Sequence, residues 1–248
     1  MFITKNYYAK LENTPVKIAR SRFTRYYNDL FLMEGVGLPS FSSYNKKNAY
    51  SFVDIGDEVL SLCDVENSFL DFDLFLVAYW SHEYDPDHTF GAYFCERYGI
   101  AKRTFDVCDQ GVLAPLTALY LMQLYMTHGK VEKGALLCMD QAAIPVEHKF
   151  KGVLPSFASA RVLLLSSKRC KNACYQITSL NFKKGEIKES LPYHDQIFIN
   201  KEDARYNCAE LFHSLFEGSH SIKKKNIRII VSDSESSNSA SMDVRSLY

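Results

Sequence analysis

The chain has 248 residues, and its 29 basic residues balance 29 acidic ones, so no global field draws it to nucleic acid or to an anionic membrane. A hydrophobic content of 47% is ordinary for a packed globule, and the length suits one sizeable α/β domain or two small ones. The charged opening, MFITKNYYAKLENT, does not read as a secretory leader and no apolar run reaches bilayer length, so a cytoplasmic protein with no membrane partner is expected.

The first forty residues are rich in Tyr, Phe and Arg and close with GVGLPSFSS, which reads as an irregular arm. SFVDIGDEVLSLC follows with Val53, Ile55, Val59, Leu60 and Leu62 at helical spacing. DFDLFLVAYW has the continuous apolar run of a strand buried on both faces. DPDHTFGAYFCERYGI gives an Asp-capped helix stopped by Gly99, and RTFDVCD gives the next strand. Residues 112–127 carry no charge, so the helix they form is expected to be central and covered nearly all round, with Gly129 at its C-terminal stop.

KGALLCMDQ and ARVLLLSS are two further apolar strands, and CYQITSLNF continues the sheet. A polar connection, KKGEIKESLPYHD, leads to a helix over KEDARYNCAELFHSLFEG and a strand over NIRIIVS. The Ser-rich end, DSESSNSASMDVRSLY, reads as mobile. Strands alternating with helices in this order predict a mixed sheet covered on both faces, an α/β fold.

Seven cysteines, an odd number without a Cys-x-x-Cys pair, read as reduced thiols. Cys170 and Cys174 lack a second pair or a suitably spaced His, so no zinc site is expected, and no cofactor either. His82 and His88 flank EYDPD, which reads as a polar turn capping the next helix, with a metal or base site as the alternative. His128 suits a helix C-terminus, while His148, His194, His213 and His220 have no partner visible in sequence.

The order of these segments resembles the β-ketoacyl-carrier-protein synthase III enzymes of the thiolase-like superfamily. FLDFDLFLVAYWSHEYDPDHTFGAYFCERYGIAKRTFDV is similar to that family's Asp-Ile-Asp strand, Pro-containing turn, Ala-x-x-x-Gln-x-x-Leu-Gly helix and the strand entering the active site. MTHGKVEKGALLCMDQAAIP looks like the segment after its nucleophile helix, and the similarity covers roughly residues 50–180. It implies a layered thiolase-like fold with a central buried helix and an incomplete second half. The expected layout is an irregular arm over 1–45, the N-terminal half over 46–190, a truncated C-terminal half over 191–232 and a mobile tail over 233–248.

The resemblance also implies a catalytic Cys at the N-terminus of the buried helix, where the helix dipole and backbone N–H groups favour a thiolate. This chain reads Asp109-Gln110-Gly111-Val112, so Val112 stands at the sulfur position and cannot form a thioester. Cys108 is the outside candidate for a relocated nucleophile, against the commoner reading of an inert buried Cys. Matching NIRIIVSDSES to the strand before the family's His places Asp233 where that His should be, and SNSAS at 237–241 is a chance echo of its Asn loop. The Gly-rich turn is replaced by Phe157-Ala158-Ser159-Ala160-Arg161, which removes the close backbone approach that glycine permits.

Such proteins pair the strand before the nucleophile helix with its equivalent in a partner, here Thr104, Phe105, Asp106, Val107, Cys108 and Asp109. The expectation is therefore a non-catalytic subunit that pairs with an active ketosynthase III-like chain or with itself, in fatty acid, polyketide or secondary-metabolite biosynthesis. The alternatives are an acyltransferase or hydrolase using Cys108, or a module that binds an acyl chain or an acyl carrier protein. For the last, the basic stretches KKNAY, Lys102-Arg103, KRCK and IKKKNIR are candidate contacts, though charge runs are usually solvated faces.

Overall fold

The computed structural model describes residues 1–11, 50–65, 72–80, 90–108, 110–142, 157–187, 196–201, 208–217, 226–233 and 236–247, with isolated positions between 25 and 35 and at 155. Nine strands lie among them: β1 Phe2–Leu11, β2 Leu74–Ala78, β3 Thr104–Val107, β4 Lys133–Asp140, β5 Ala158–Ser166, β6 Tyr175–Lys184, β7 Gln196–Lys201, β8 Asn226–Asp233 and β9 Asn238–Ser246. The helices are α1 Phe52–Val65, α2 Phe90–Tyr98, α3 Ala114–Thr127, entered by a 3₁₀ turn over Gly111–Leu113, and the single turn α4 His213–Phe216, entered by another over Glu210–Phe212.

Local chemistry sets the helix ends. Ser51 Oγ accepts the Asp54 N–H at 3.1 Å while the Asp54 carboxylate takes the Ser51 N–H and hydroxyl, a reciprocal cap that starts α1. Gly129, at φ 66°, lets the Lys130 N–H turn back onto the Tyr125 carbonyl and closes α3. Pro115 sits in the first turn of α3, where its missing N–H costs nothing.

The sheet order is β3-β2-β4-β5-β1-β6-β9-β8-β7. β2 runs parallel to β3 and β4, β5 is antiparallel to β4 and β1, and β1 meets β6 through only two residue pairs. Beyond that seam the pattern repeats: β6 is antiparallel to β9, β9 to β8, and β8 is parallel to β7. Thus β6, β9, β8 and β7 are the counterparts of β1, β5, β4 and β2, and the fold is two copies of one motif. The turn-and-helix segment Glu210–Phe216 precedes β8 as α3 precedes β4. Among the described residues the second copy has no counterpart of α1, α2 or β3.

Helices α1 and α2 cover one face over Phe52, Ile55, Phe75, Phe94 and Leu137. On the other face α3 and Glu210–Phe216 form an inner layer, where Leu116, Leu119 and Met122 share one core with Ile229, Val231, Met242 and Val244 of the second copy. The strands β2 and β4 are buried along nearly their whole length, as their continuous apolar runs predict.

Five expectations are corrected. The N-terminal arm begins with a strand, β1, at the middle of the sheet; its inward positions include Asn6 and Tyr8, which meet Arg161, so its alternation is hidden from a hydrophobicity reading. The mobile tail is an interior strand, β9, whose Ala240, Met242 and Val244 alternate into the core while Ser239 and Ser241 are small enough to be buried between them. The helix expected over 201–218 is helical only from Glu210 to Phe216, with 202–207 and 218 outside the described residues. NIRIIVS does not enter a His motif: it is one arm of a hairpin with β9, and the parallel strand of that copy is β7. Finally, α3 is not covered all round, since Tyr120 is 40% and Leu124 37% exposed.

Candidate functional site

The C-terminal ends of parallel strands point to one place in each copy, the position where open α/β sheets gather their chemistry. In the first copy β3 ends at Val107, followed by the half-buried Cys108, the exposed Gln110 and then Gly111 at φ 50°. That left-handed conformation suits glycine and swings the chain into the 3₁₀ turn that opens α3. Val112 is half-buried and packs on the inner-layer core, so an isopropyl group occupies the start of the helix. Asp109 lies outside the described residues.

The second copy reaches into this corner. Asp233 is the last residue of β8, and a Cβ placed on Gly111 would lie 3.5 Å from its Oδ2. The Ser236 hydroxyl donates to the same carboxylate. A carboxylate is the natural complement of a helix N-terminus, but it opposes a thiolate or an oxyanion there. Asp233 therefore does not stand in for a His after a parallel strand; it closes an antiparallel hairpin and faces the Gly111 corner.

The mirror contact exists at the other helix. Asp140 ends β4, the counterpart of β8, and is fully buried. It accepts N–H groups from Cys208 at 2.9 Å and Ala209 at 2.7 Å, just before the segment that matches α3, and from Trp80 Nε1 at 3.1 Å. Burial pushes its carboxyl up to about 7, against the opposite pull of those backbone donors. Each copy's strand-end aspartate thus addresses the entrance of the other copy's inner helix.

Arg161 fills the place of the expected Gly-rich turn, inside β5. Fully buried, it donates to the Ala209 carbonyl, to Asn6 Oδ1 and to Glu217 Oε1 at 2.8 to 2.9 Å, and lies over the rings of Tyr8 and Phe216. Tyr8 is raised above its ordinary value by burial and by its hydrogen bond to Glu210. His213 Nδ1 sits 3.1 Å from Glu217 Oε2 and 3.5 Å from Glu210 Oε2. This cluster ties the 208–217 segment to β1 and β5, and only the loss of glycine at 158–161 hinted at it in sequence.

His128 is exposed at the end of α3, as its position predicts, while His82, His88, His148, His194 and His220 lie outside the described residues. None of the seven cysteines is in a disulfide: Cys63, Cys138 and Cys208 are buried, and Cys170 is exposed. Among the described residues, no three His, Cys, Asp or Glu side chains could hold a metal ion, and no helix is long and apolar enough to cross a membrane.

Thr104 to Val107 form the outer strand of the first copy, paired only with β2 among the described residues. Within it Phe105, 43% exposed, stacks on Tyr125 of α3, and Tyr120 of α3 meets the exposed Phe182 of β6 edge to face. An apolar strip therefore runs from the open strand across the uncharged helix to the second copy.

No protein-family model and no curated protein matches the sequence. Solved structures do match. ChlB3, described as an acyltransferase, matches with a TM-score of 0.66 at 9% identity over 99% of this chain and 97% of that chain. AbyA1, a tetronic acid condensing enzyme, matches with 0.62 at 10% identity over 99% and 100%. The fold is thiolase-like. The 3-oxoacyl-[acyl-carrier-protein] synthase III of Aquifex aeolicus shares this fold with a TM-score of 0.56, at 10% identity over 98% and 99% of the two chains. The matches run through nearly the whole of both chains.

Proposed function

We propose that this chain is a non-catalytic ketosynthase III-like subunit that pairs with an active condensing enzyme in fatty acid, polyketide or secondary-metabolite biosynthesis. The observation that carries this reading is the entrance of α3, where Val112 takes the place of a nucleophile and the Asp233 carboxylate lies against Gly111. A thiolate at this point needs a positive environment, and its acyl adduct needs donors for an oxyanion. This corner offers an aliphatic side chain and a negative charge. The names of the structural neighbours, an acyltransferase, a condensing enzyme and a 3-oxoacyl-[acyl-carrier-protein] synthase, support the reaction class of the partner.

The pairing half of the reading draws on the strip at β3. Among the described residues β3 is paired on one side only, and a strand open on one side presents unpaired N–H and C=O groups next to aromatic residues that gain by being covered. A partner strand satisfies both needs at once. The partner then supplies the Cys, His and Asn chemistry that this chain lacks.

Mass spectrometry after incubation with acyl thioesters tests the silent half. Wild-type chain gains no acyl mass, and neither does Val112→Cys, because the Asp233 charge still opposes the thiolate. Val112→Cys combined with Asp233→Asn becomes acylated. Acylation of the wild-type chain at Cys108 would overturn the reading and make this an enzyme with a relocated nucleophile.

A further inference from the structure

Two basic stretches separated by more than sixty positions in sequence meet at one end of the sheet. Lys102 and Arg103 enter β3, and the Arg103 guanidinium donates to the Lys130 carbonyl at 2.9 Å. Lys133 opens β4 next to Lys130. The Ser167 N–H donates to the Glu132 carbonyl, and Lys168 pairs with the Glu132 carboxylate at 3.1 Å, which brings Arg169 and Lys171 to the same end. All of these cations are exposed.

Two acids at this end, Asp73 and Glu132, are committed. Asp73 accepts the backbone N–H groups of Glu132 and Lys133, chiefly the first, and these hold its carboxyl below the ordinary carboxylate value. Glu132 is engaged by Lys168. A chain whose total charge is zero thus concentrates positive charge at one end.

This end is continuous with the apolar strip. The Arg103 guanidinium lies 6.0 Å from the centre of the Tyr125 ring, and Tyr125 stacks on Phe105. An apolar centre bordered by charge is the anatomy of a protein interface. A lipid surface fits less well, because lipid cannot satisfy the open backbone of β3. Nor does the end serve delivery to the Gly111 corner, since α3 separates them by its fourteen residues, about 21 Å at 1.5 Å per residue.

We propose that this basic end is the electrostatic part of the docking face, and that the protein seated on β3 carries a complementary acidic rim. The inference rests on the pairing reading above and adds the chemistry of the partner's surface. Exposed cations at a rim act mainly by steering the encounter, so they set the association rate more than the lifetime of the complex.

The test uses the full chain, immobilised, and as probe the host's ketosynthase III-like chain that keeps the corner Cys, purified separately. Its association rate is expected to fall about tenfold between low and high salt. The triple variant Lys130→Glu, Arg169→Glu, Lys171→Glu should lose about tenfold at low salt with its dissociation rate and melting point nearly unchanged. If the complex forms but salt and charge reversal leave its association rate unchanged, the acidic rim is wrong and the pairing reading stands. If the probe does not bind at all, the pairing reading fails and the rim with it. Preferential binding of anionic phosphatidylglycerol vesicles, or occupation of the face by a second copy of the chain, would also overturn the proposal.

Discussion

The two copies of the motif share a strand order and differ in what hangs on it. Among the described residues the first has five strands and a fourteen-residue inner helix; the second has four strands, and its inner segment is a 3₁₀ turn followed by one helical turn. What both retain is the frame, including an aspartate at the end of the strand that follows the inner helix. Asp140 and Asp233 each cross to the other copy. The difference teaches that the two copies share the frame and its seam while the described segments packed on it differ.

The seam should be the most sensitive place. Asp140→Ala takes the acceptor from the buried N–H groups of Cys208 and Ala209 and removes the Trp80 hydrogen bond, a loss of about 4 kcal/mol in denaturant unfolding. A loss below about 1 kcal/mol would show that the copies are held together by apolar packing alone. Trp80 is the chain's single tryptophan and touches Asp140, so its fluorescence reports the seam directly.

The same carboxyl gives stability a pH dependence. Its folded value, about 7, lies above the ordinary value of 3.8, so the folded chain holds a proton that the unfolded chain releases. Between pH 4 and 7 the Asp140 contribution therefore makes unfolding easier as pH rises, by roughly 3 kcal/mol across the window. Comparing the slopes of wild type and Asp140→Asn isolates this term, and the variant should lack it.

Lesions confined to one copy come next. Gly56 lets α1 approach α2 so closely that a Cβ would lie 2.1 Å from the Phe94 ring. Gly56→Ala should cost about 2 kcal/mol through overpacking, and Trp80 should report the same transition as far-ultraviolet circular dichroism. In the second copy, Arg228 holds Asp243 across β8 and β9 with two nitrogens, and Ser179 adds a third hydrogen bond from β6. Arg228→Ala should cost about 1 kcal/mol. Two separate transitions in either variant would mean that the copies unfold independently.

Sequence made the first copy legible because its strands are continuous apolar runs and its helices carry recognisable ends. Val112 at the corner was visible for the same reason, since a strand, a polar break and an uncharged helix identify the position. β1 escaped because polar and aromatic groups face its interior partner, Arg161, and β9 because serine was read as a sign of mobility rather than of small size. The seam itself could not be read: Asp140 and the Cys208 N–H it accepts are 68 positions apart, and nothing local to either residue announces the other. The place of Asp233 is not legible in sequence, because the β8–β9 hairpin, and not the end of a parallel strand, sets it at the Gly111 corner.

The most direct test of the account is the solution mass of the complex that co-purifies with this chain from its native host. A one-to-one complex with a ketosynthase III-like chain that keeps its corner Cys is the predicted result. A monomer or homodimer that becomes acylated at Cys108 on exposure to acyl thioesters would contradict it.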